Sequence, residues 1–247
     1  MKHTFRFLGI CKHPSSKDQE WEITGDEHHH LRKVLKLSLD TDVEVFDGKG
    51  NSASGKISYI DNKKAVVVGN ALETIDSQQQ NAIAIGALKP GFVDELLPCL
   101  TELGIKSINV FLSDQVDKSR LTEKAINRWH KIILSAVKQC KRSHLPEIKT
   151  WSKMMPMVDY LEEVYSECIV LDASGREAFL SHLSPRSSNS ICAIIGGEKG
   201  FSEQEMALFH DRKLRFQKLG THVLRAYTAT IAAASLLSSL SLETKHD

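Results

Sequence analysis

The sequence lacks most of the features that place a chain at sight. It has no excess of either charge: 32 Lys and Arg against 31 Asp and Glu leave +1 at pH 7. That excludes a wholly basic nucleic-acid coat but leaves room for local basic patches. Cysteines are few, five in all, scattered at 11, 99, 140, 168 and 192 with no C-x-x-C pair. Neither a disulfide framework nor a zinc site is spelled out, and reduced thiols of a cytoplasmic protein are expected. The longest weakly polar run, Ala229 to Leu242, is too short and too rich in Ser for a membrane span. No signal-peptide pattern opens the chain, because Lys, Arg and His recur early. No repeat of 20 to 50 residues is visible.

What remains is an ordinary globular composition, 41% hydrophobic and 26% charged over 247 residues. One large or two modest domains are expected. Residues 1 to about 72 alternate with the two-residue period of strands, with candidates at His3 to Leu8, Asp42 to Phe46, Lys56 to Ile60 and Ala65 to Val68. Asp47-Gly48 and Gly50 give a hairpin signal. Between them Glu27 to Leu39 predicts a helix with Leu31, Val34 and Leu35 on one face and Arg32, Lys33 and Lys36 off it. A small β-barrel carrying one basic helix is the simplest reading. His28, His29 and His30 are adjacent and point in different directions on such a helix, so no metal site is expected.

The polar, glutamine-rich stretch 71 to 81 reads as a linker. Beyond it the pattern alternates between buried strands and helices. Ala82 to Leu88 is a strand and Lys89-Pro90-Gly91 a turn. Phe92 to Leu103 is a helix stopped by Gly104, and Ile105 to Leu112 is the next strand. Such short joins imply a parallel sheet. Leu121 to Lys141 is a long helix with Ile126, Trp129, Ile133 and Val137 at core spacing. The cations at its end, Lys138, Lys141 and Arg142, suit either the helix dipole or a phosphate, and spacing leaves both open. Val158 to Glu167 is another helix, Cys168 to Asp172 a strand, and Leu183 to Ser190 a polar loop.

The most informative stretch is 191 to 231. Ile191 to Ile195 is a short apolar run ending in Gly196 and Gly197, with Gly200 close behind. Ser202 and Glu205 stand at capping-box spacing and start a helix. Leu214 to Leu219 reads as a second strand closed by Gly220, and a helix dense in Ala and Ser begins near Leu224. Glycines at the carboxyl ends of buried strands leave backbone groups open to a ligand. The loop GGEKG is neither a phosphate loop nor a dinucleotide fingerprint, which disfavours a flavodoxin-like nucleotide enzyme.

The order IIGGEKGFSEQE then LGTHVLRAYTAT resembles the paired signatures IGPEGGFS-x-x-E and LG-x-x-ILR-x-ETA of the RsmE family. Those are knotted, SPOUT-class methyltransferases that act on uracil N(3) of 16S ribosomal RNA. HHHLRKVLKL and VFDGKG resemble the family's H-x-x-RVLRL and LFDG segments. The resemblance covers nearly the whole chain and departs at Gly197 for Pro, Lys199 for Gly and Tyr227 for Glu.

The resemblance implies an α/β chain: a PUA-like β-barrel RNA-binding domain over 1–72, then a SPOUT-like parallel-sheet domain with a trefoil knot over 80–247. It implies S-adenosyl-L-methionine as cofactor, held by Leu171, Gly196, Gly197, Glu198, Gly200, Leu219, Gly220, Leu224 and Thr228. It implies 16S rRNA of the small ribosomal subunit as partner, a homodimer, and RNA contacts from Arg32, Lys33, Lys36 and Arg142. Loss of the uracil N(3) proton leaves charge on the flanking carbonyl oxygens, and Arg225, the cation of the LR motif, is the catalytic candidate for stabilising it. A structural ion pair or a cofactor-carboxylate contact is the competing role for Arg225. Asp172, Glu198 and bulk solvent stand as alternatives for a general base. The competing function is an RNA-binding or ribosome-assembly factor that keeps the fold with weakened turnover; a knotted methyltransferase for another RNA is a third.

Overall fold

The computed structural model describes residues 4–12, 19–72, 80–89, 91–114, 121–181 and 190–243. The glutamine-rich residues 73–79, Pro90 of the expected turn, and 183–189 of the expected polar loop lie outside the described residues. The chain divides into two compact units, Met1–Asp76 with Val137–Leu145, and Ser77–Ala136 with Pro146–Asp247.

In the first unit β1 (Phe5–Leu8), β2 (Ile10–Cys11), β3 (Gln19–Thr24), β4 (Asp42–Phe46), β5 (Ser52–Ile60) and β6 (Lys64–Ala71) form one sheet, ordered β1-β4-β5-β6-β3-β2. β1 runs parallel to β4 and the other pairs are antiparallel. β1 and β2 occupy opposite edges with only Gly9 between them, so the sheet must curl until its edges meet. The inward residues of the two-residue period fill the curl: Phe7, Trp21, Ile23, Val43, Val45, Ile57 and Val67 are buried together. Each such side chain contributes about 1.5–3 kcal/mol on leaving water.

The expected helix is present but shorter. α1 (Gly25–His29) continues as one π-helical turn over His30–Val34, where the Leu35 N–H donates to the His30 carbonyl at 2.9 Å. Lys36, at φ 53°, ends it. A π turn holds more residues per revolution than an α turn, which rotates the later residues off the α-helical face. Leu31 is fully buried, yet Val34, expected in the core, is 59% exposed.

The segment Val137–Leu145 packs within this same unit. Arg6 donates to the Val137 carbonyl at 3.2 Å, and its guanidinium sits 4.6 Å from the Phe46 ring centroid. The Leu145 N–H donates to the Gly48 carbonyl and the Gly50 N–H donates to the Ser143 carbonyl, at 2.9 and 3.1 Å. The Asp47–Gly50 turn therefore both closes the β4–β5 hairpin and receives this segment.

The second unit holds β7 (Ala82–Gly86), α2 (Phe92–Glu102), β8 (Ser107–Phe111), α3 (Glu123–Cys140) as far as Ala136, β9 (Glu147–Trp151), α4 (Met154–Val164), β10 (Glu167–Leu171), β11 (Glu177–Ala178), β12 (Ile191–Ile195), α5 (Glu203–Asp211), β13 (Arg215–Lys218) and α6 (Ala226–Glu243). All sheet pairs are parallel, in the order β11-β13-β10-β12-β7-β8-β9. β7, β8 and β12 are buried along their whole length, as expected of a parallel sheet covered on both faces. One face carries α4 and α5, whose Met157, Val158, Leu161 and Phe209 pack with Ala82, Ala84, Cys192 and Ile194. By alternation, Ile83 and Ile85 turn to the other face, where α2 and α6 pack together. α4 begins before the expected Val158, because Pro156 falls in its first turn, where no N–H donor is needed. Among the described residues no helix is long and apolar enough to cross a membrane.

β10 and β11 are consecutive, yet β13 lies between them. Residues 172–176 must therefore cross over β13. The crossing is tight: a Cβ on Gly175 would lie 2.5 Å from the carbonyl carbon of Gln217. The buried Gln217 side chain accepts the Leu180 N–H at 3.0 Å and fastens the far side.

Candidate functional site

β13, β10 and β12 are neighbours in the sheet, and their carboxyl ends release three loops on the same edge. Parallel sheets bind ligands at that edge, outside the strand ends. Here the loops and the start of α6 enclose a cavity of about 400 Å³, within the usual size range of small-molecule sites.

The β12 loop is built first by close backbone approach. Gly197 to Gly200 is a tight turn, with the Gly200 N–H donating to the Gly197 carbonyl at 3.0 Å and Gly200 at φ 73°. A Cβ on Gly196 would lie 2.8 Å from the Gly200 carbonyl carbon, so the loop requires glycine there. Glu198, at the turn's tip, accepts the Lys89 N–H at 3.2 Å and ties this loop to the one after β7. The far end is fixed by the capping box that the spacing predicted. Ser202 accepts from the Glu205 N–H, and Glu205 accepts from the Ser202 N–H at 2.7 Å. The Glu205 carboxylate is 1% exposed and also takes the Ser113 hydroxyl and the Asp114 N–H, at 3.1 and 3.0 Å. Those two further bonds, which local spacing could not disclose, join α5 to the loop after β8.

Leu171, Gly196, Gly197, Glu198, Gly200, Leu219, Gly220, Leu224 and Arg225 all line the cavity. Thr228 does not line it; it is exposed one residue after Tyr227 on the first turn of α6. Sequence reasoning missed Phe201, Lys218, His222 and the crossing residue Ala173, which also line it. Arg225 is exposed immediately before α6. Among the described residues its guanidinium meets no carboxylate, so the structural ion pair weighed for it is not formed there.

The charges of the cavity are unevenly committed. Asp172 accepts the Ser174 N–H at 2.9 Å, and Glu198 accepts Lys89. Lys199, Lys218, His222 and Arg225 line the same space, and among the described residues none of these four side chains holds an ion pair or a side-chain hydrogen bond. Tyr227 turns away, towards α2: its ring lies 6.2 Å from that of Phe92. Burial, with Cys99 and Glu95 nearby, raises its hydroxyl pKa.

In the first unit, Lys33 and Lys36 are exposed and Arg32 is half-buried. Arg142 corrects the expectation: it is only 7% exposed and cannot be offered to a surface phosphate as it stands. His28 is buried, His29 exposed, and the His30 ring packs 6.5 Å from Phe7. Among the described residues no group of three His, Cys, Asp or Glu is placed to hold a metal ion.

Two family models match the chain: an RNA methyltransferase domain over residues 76–238 and an RNA methyltransferase PUA domain over 23–68. A curated relative, ribosomal RNA small subunit methyltransferase E of Helicobacter pylori, is 25% identical over 228 residues, 91% of this chain and 96% of that protein. A protein of the same description from Bacillus subtilis is 23% identical over 247 residues, covering 94% of each. The crystal structure of a ribosomal RNA small subunit methyltransferase E from Neisseria gonorrhoeae bound to S-adenosyl methionine shares the fold. Its TM-score is 0.80 at 23% identity, with 96% of this chain and 98% of that chain covered.

Proposed function

The chain belongs to the RNA methyltransferase domain family, and from that membership we propose that it transfers a methyl group from S-adenosyl-L-methionine to N(3) of a uracil in 16S ribosomal RNA. The observation that carries this reading is the cavity where the ends of β10, β12 and β13 meet the start of α6.

The residues present fit the cofactor. Gly200 and Gly220 line the cavity with nothing within 4 Å of where a Cβ would stand, so a ligand can approach backbone groups there without a side chain in the way. Leu171, Leu219 and Leu224 supply apolar walls, and Gly197, Glu198, Gly200 and Gly220 supply the polar backbone between them. Thr228 is left out of this set. When bound, the cofactor supplies an electrophilic methyl group on a sulfonium. The protein's part is to hold the uracil nitrogen in line with that methyl, so positioning dominates. Arg225, without a carboxylate among the described residues, is free to stabilise charge on the uracil carbonyls as the N(3) proton leaves. Asp172 and Glu198 are the carboxylates at hand for that proton.

RNA is held by the first unit through Arg32, Lys33 and Lys36, supported by the match to the PUA model. The reading includes a homodimer joined through the small-residue helix α6, and a knot formed by threading of the carboxyl-terminal segments, supported by the crossing of residues 172–176 over β13. Tyr227 packs on Phe92 of α2, and methyl incorporation into RNA separates this reading from a binding factor with weakened turnover. Mass spectrometry of ribosomal RNA from cells lacking the protein tests the proposal: one methyluridine of the small subunit should vanish and return on complementation. A 16S rRNA with an unaltered modification pattern overturns it.

A further inference from the structure

The turn Gly197–Gly200 presents two charged side chains at its tip, and they are not equivalent. Glu198 is engaged by the Lys89 N–H at 3.2 Å. Lys199 is exposed, lines the cavity, and among the described residues has no ion pair or side-chain hydrogen bond. Its backbone is fixed nonetheless, because the turn is closed by the Gly200 N–H on Gly197. The flanking glycines pack too closely to shift: a Cβ on Gly86 would lie 2.5 Å from the Gly197 nitrogen. A flexible ammonium is thus carried on a rigid support at the mouth of the site.

Among the described residues the Lys199 ammonium pairs with neither Asp172 nor Glu198, which each accept a backbone N–H, and it is available to an anion from outside the chain. Two oxyanions would arrive at this cavity: the carboxylate of the cofactor and a phosphate of the RNA strand. Lys199 is exposed at the tip of the turn, where a polymer too large to enter the cavity can still meet it, and a long lysine stem reaches a phosphate as a point charge without demanding one geometry. We propose that Lys199 binds a backbone phosphate of the RNA strand next to the target base, giving this chain a strand contact at the cavity itself, apart from the basic helix of the first unit. The inference rests on the RNA methyltransferase reading of the same cavity. Its effect is to hold the strand beside the site, so a base is drawn in already tethered.

The test uses the full chain and small ribosomal subunits from cells lacking the protein. Lys199→Gln should lower the slope of log affinity against log salt by roughly 0.7–0.9, the loss of one phosphate contact. Lys199→Arg should restore that slope. Calorimetry with S-adenosylmethionine should give the same cofactor affinity for all three proteins, and KM for the subunits should rise by a larger factor than kcat falls. An unchanged salt slope in Lys199→Gln overturns the proposal. A weakened cofactor affinity with an unchanged slope also overturns it and assigns the oxyanion to the cofactor. The slope is read without turnover, so a wild-type protein that transfers no methyl group would sink the methyltransferase reading while this contact is still judged by itself.

Discussion

Gly175 lies directly across Gln217: a Cβ on the glycine would sit 2.5 Å from the Gln217 carbonyl carbon and 2.7 Å from its Cα. Both partners at this crossing are backbone, so neither can rotate away. Gly175→Ala should therefore destabilise the protein by about 1–3 kcal/mol, the usual effect of overpacking a filled space. Gly220→Ala, with nothing within 4 Å of its Cβ, is the matched control. Urea unfolding of the two variants side by side checks this, and equal midpoints would show that the crossing yields.

Arg225→Ala should cut single-turnover methylation of unmodified small subunits by roughly a hundredfold while leaving cofactor affinity nearly intact. An electrostatic group that acts on charge developing in the transition state behaves in that way. Gly196→Val should do the reverse and lose cofactor binding first, because its side chain would meet the Gly200 backbone. Calorimetry for S-adenosylmethionine and circular dichroism for folding separate the two. If Arg225→Ala loses cofactor binding and rate equally, Arg225 is a pocket residue.

Replacing Arg32, Lys33 and Lys36 together with Ala should flatten the salt dependence of binding to small subunits, since each phosphate contact releases counterions. Arg142→Ala should not share that effect. Its buried guanidinium makes it a structural group, and its loss should show as lower thermal stability. A flattened slope in Arg142→Ala would restore it to the RNA contacts.

Burial pushes the Cys168 thiol up to about 12 and the Cys192 thiol well above its ordinary 9.0. A thiol whose folded pKa is raised favours the folded state below the unfolded pKa, and that contribution is lost as pH climbs through the folded value. Stability should therefore decline from about pH 9 towards 12. At pH 8 iodoacetamide should label these two cysteines far more slowly in the native protein than after unfolding. Equal rates before and after would show that β10 and β12 open freely.

How much of this was legible depended on whether the signal was local. β12 and the capping box of Ser202 and Glu205 could be read directly, because a strand buried on both faces is a bare apolar run and a cap is a four-residue pattern. The two ligand loops followed from glycines at two strand ends, while the individual cavity residues, Leu171 among them, came from the family resemblance. The crossing over β13 could not be read: β11 has two residues, both exposed, and carries no apolar signature. The π turn at His30–Val34 was hidden for a related reason, since the α period was assumed and one wider revolution displaced Val34. Arg142 shows a third limit, because the spacing of a cation does not say whether neighbours from distant sequence will cover it.

β13 fills a slot whose two walls, β10 and β11, precede it in the chain. During synthesis both walls leave the ribosome before the strand that joins them, so the slot must wait open until Arg215–Lys218 arrives. The methyl-donor cavity needs the ends of β10, β12 and β13 together, and it exists only once that last insertion is made. A nascent chain stalled before β13 would thus carry most of its sheet and no catalytic competence. Activity therefore reports that translation has run past β13 to the start of α6.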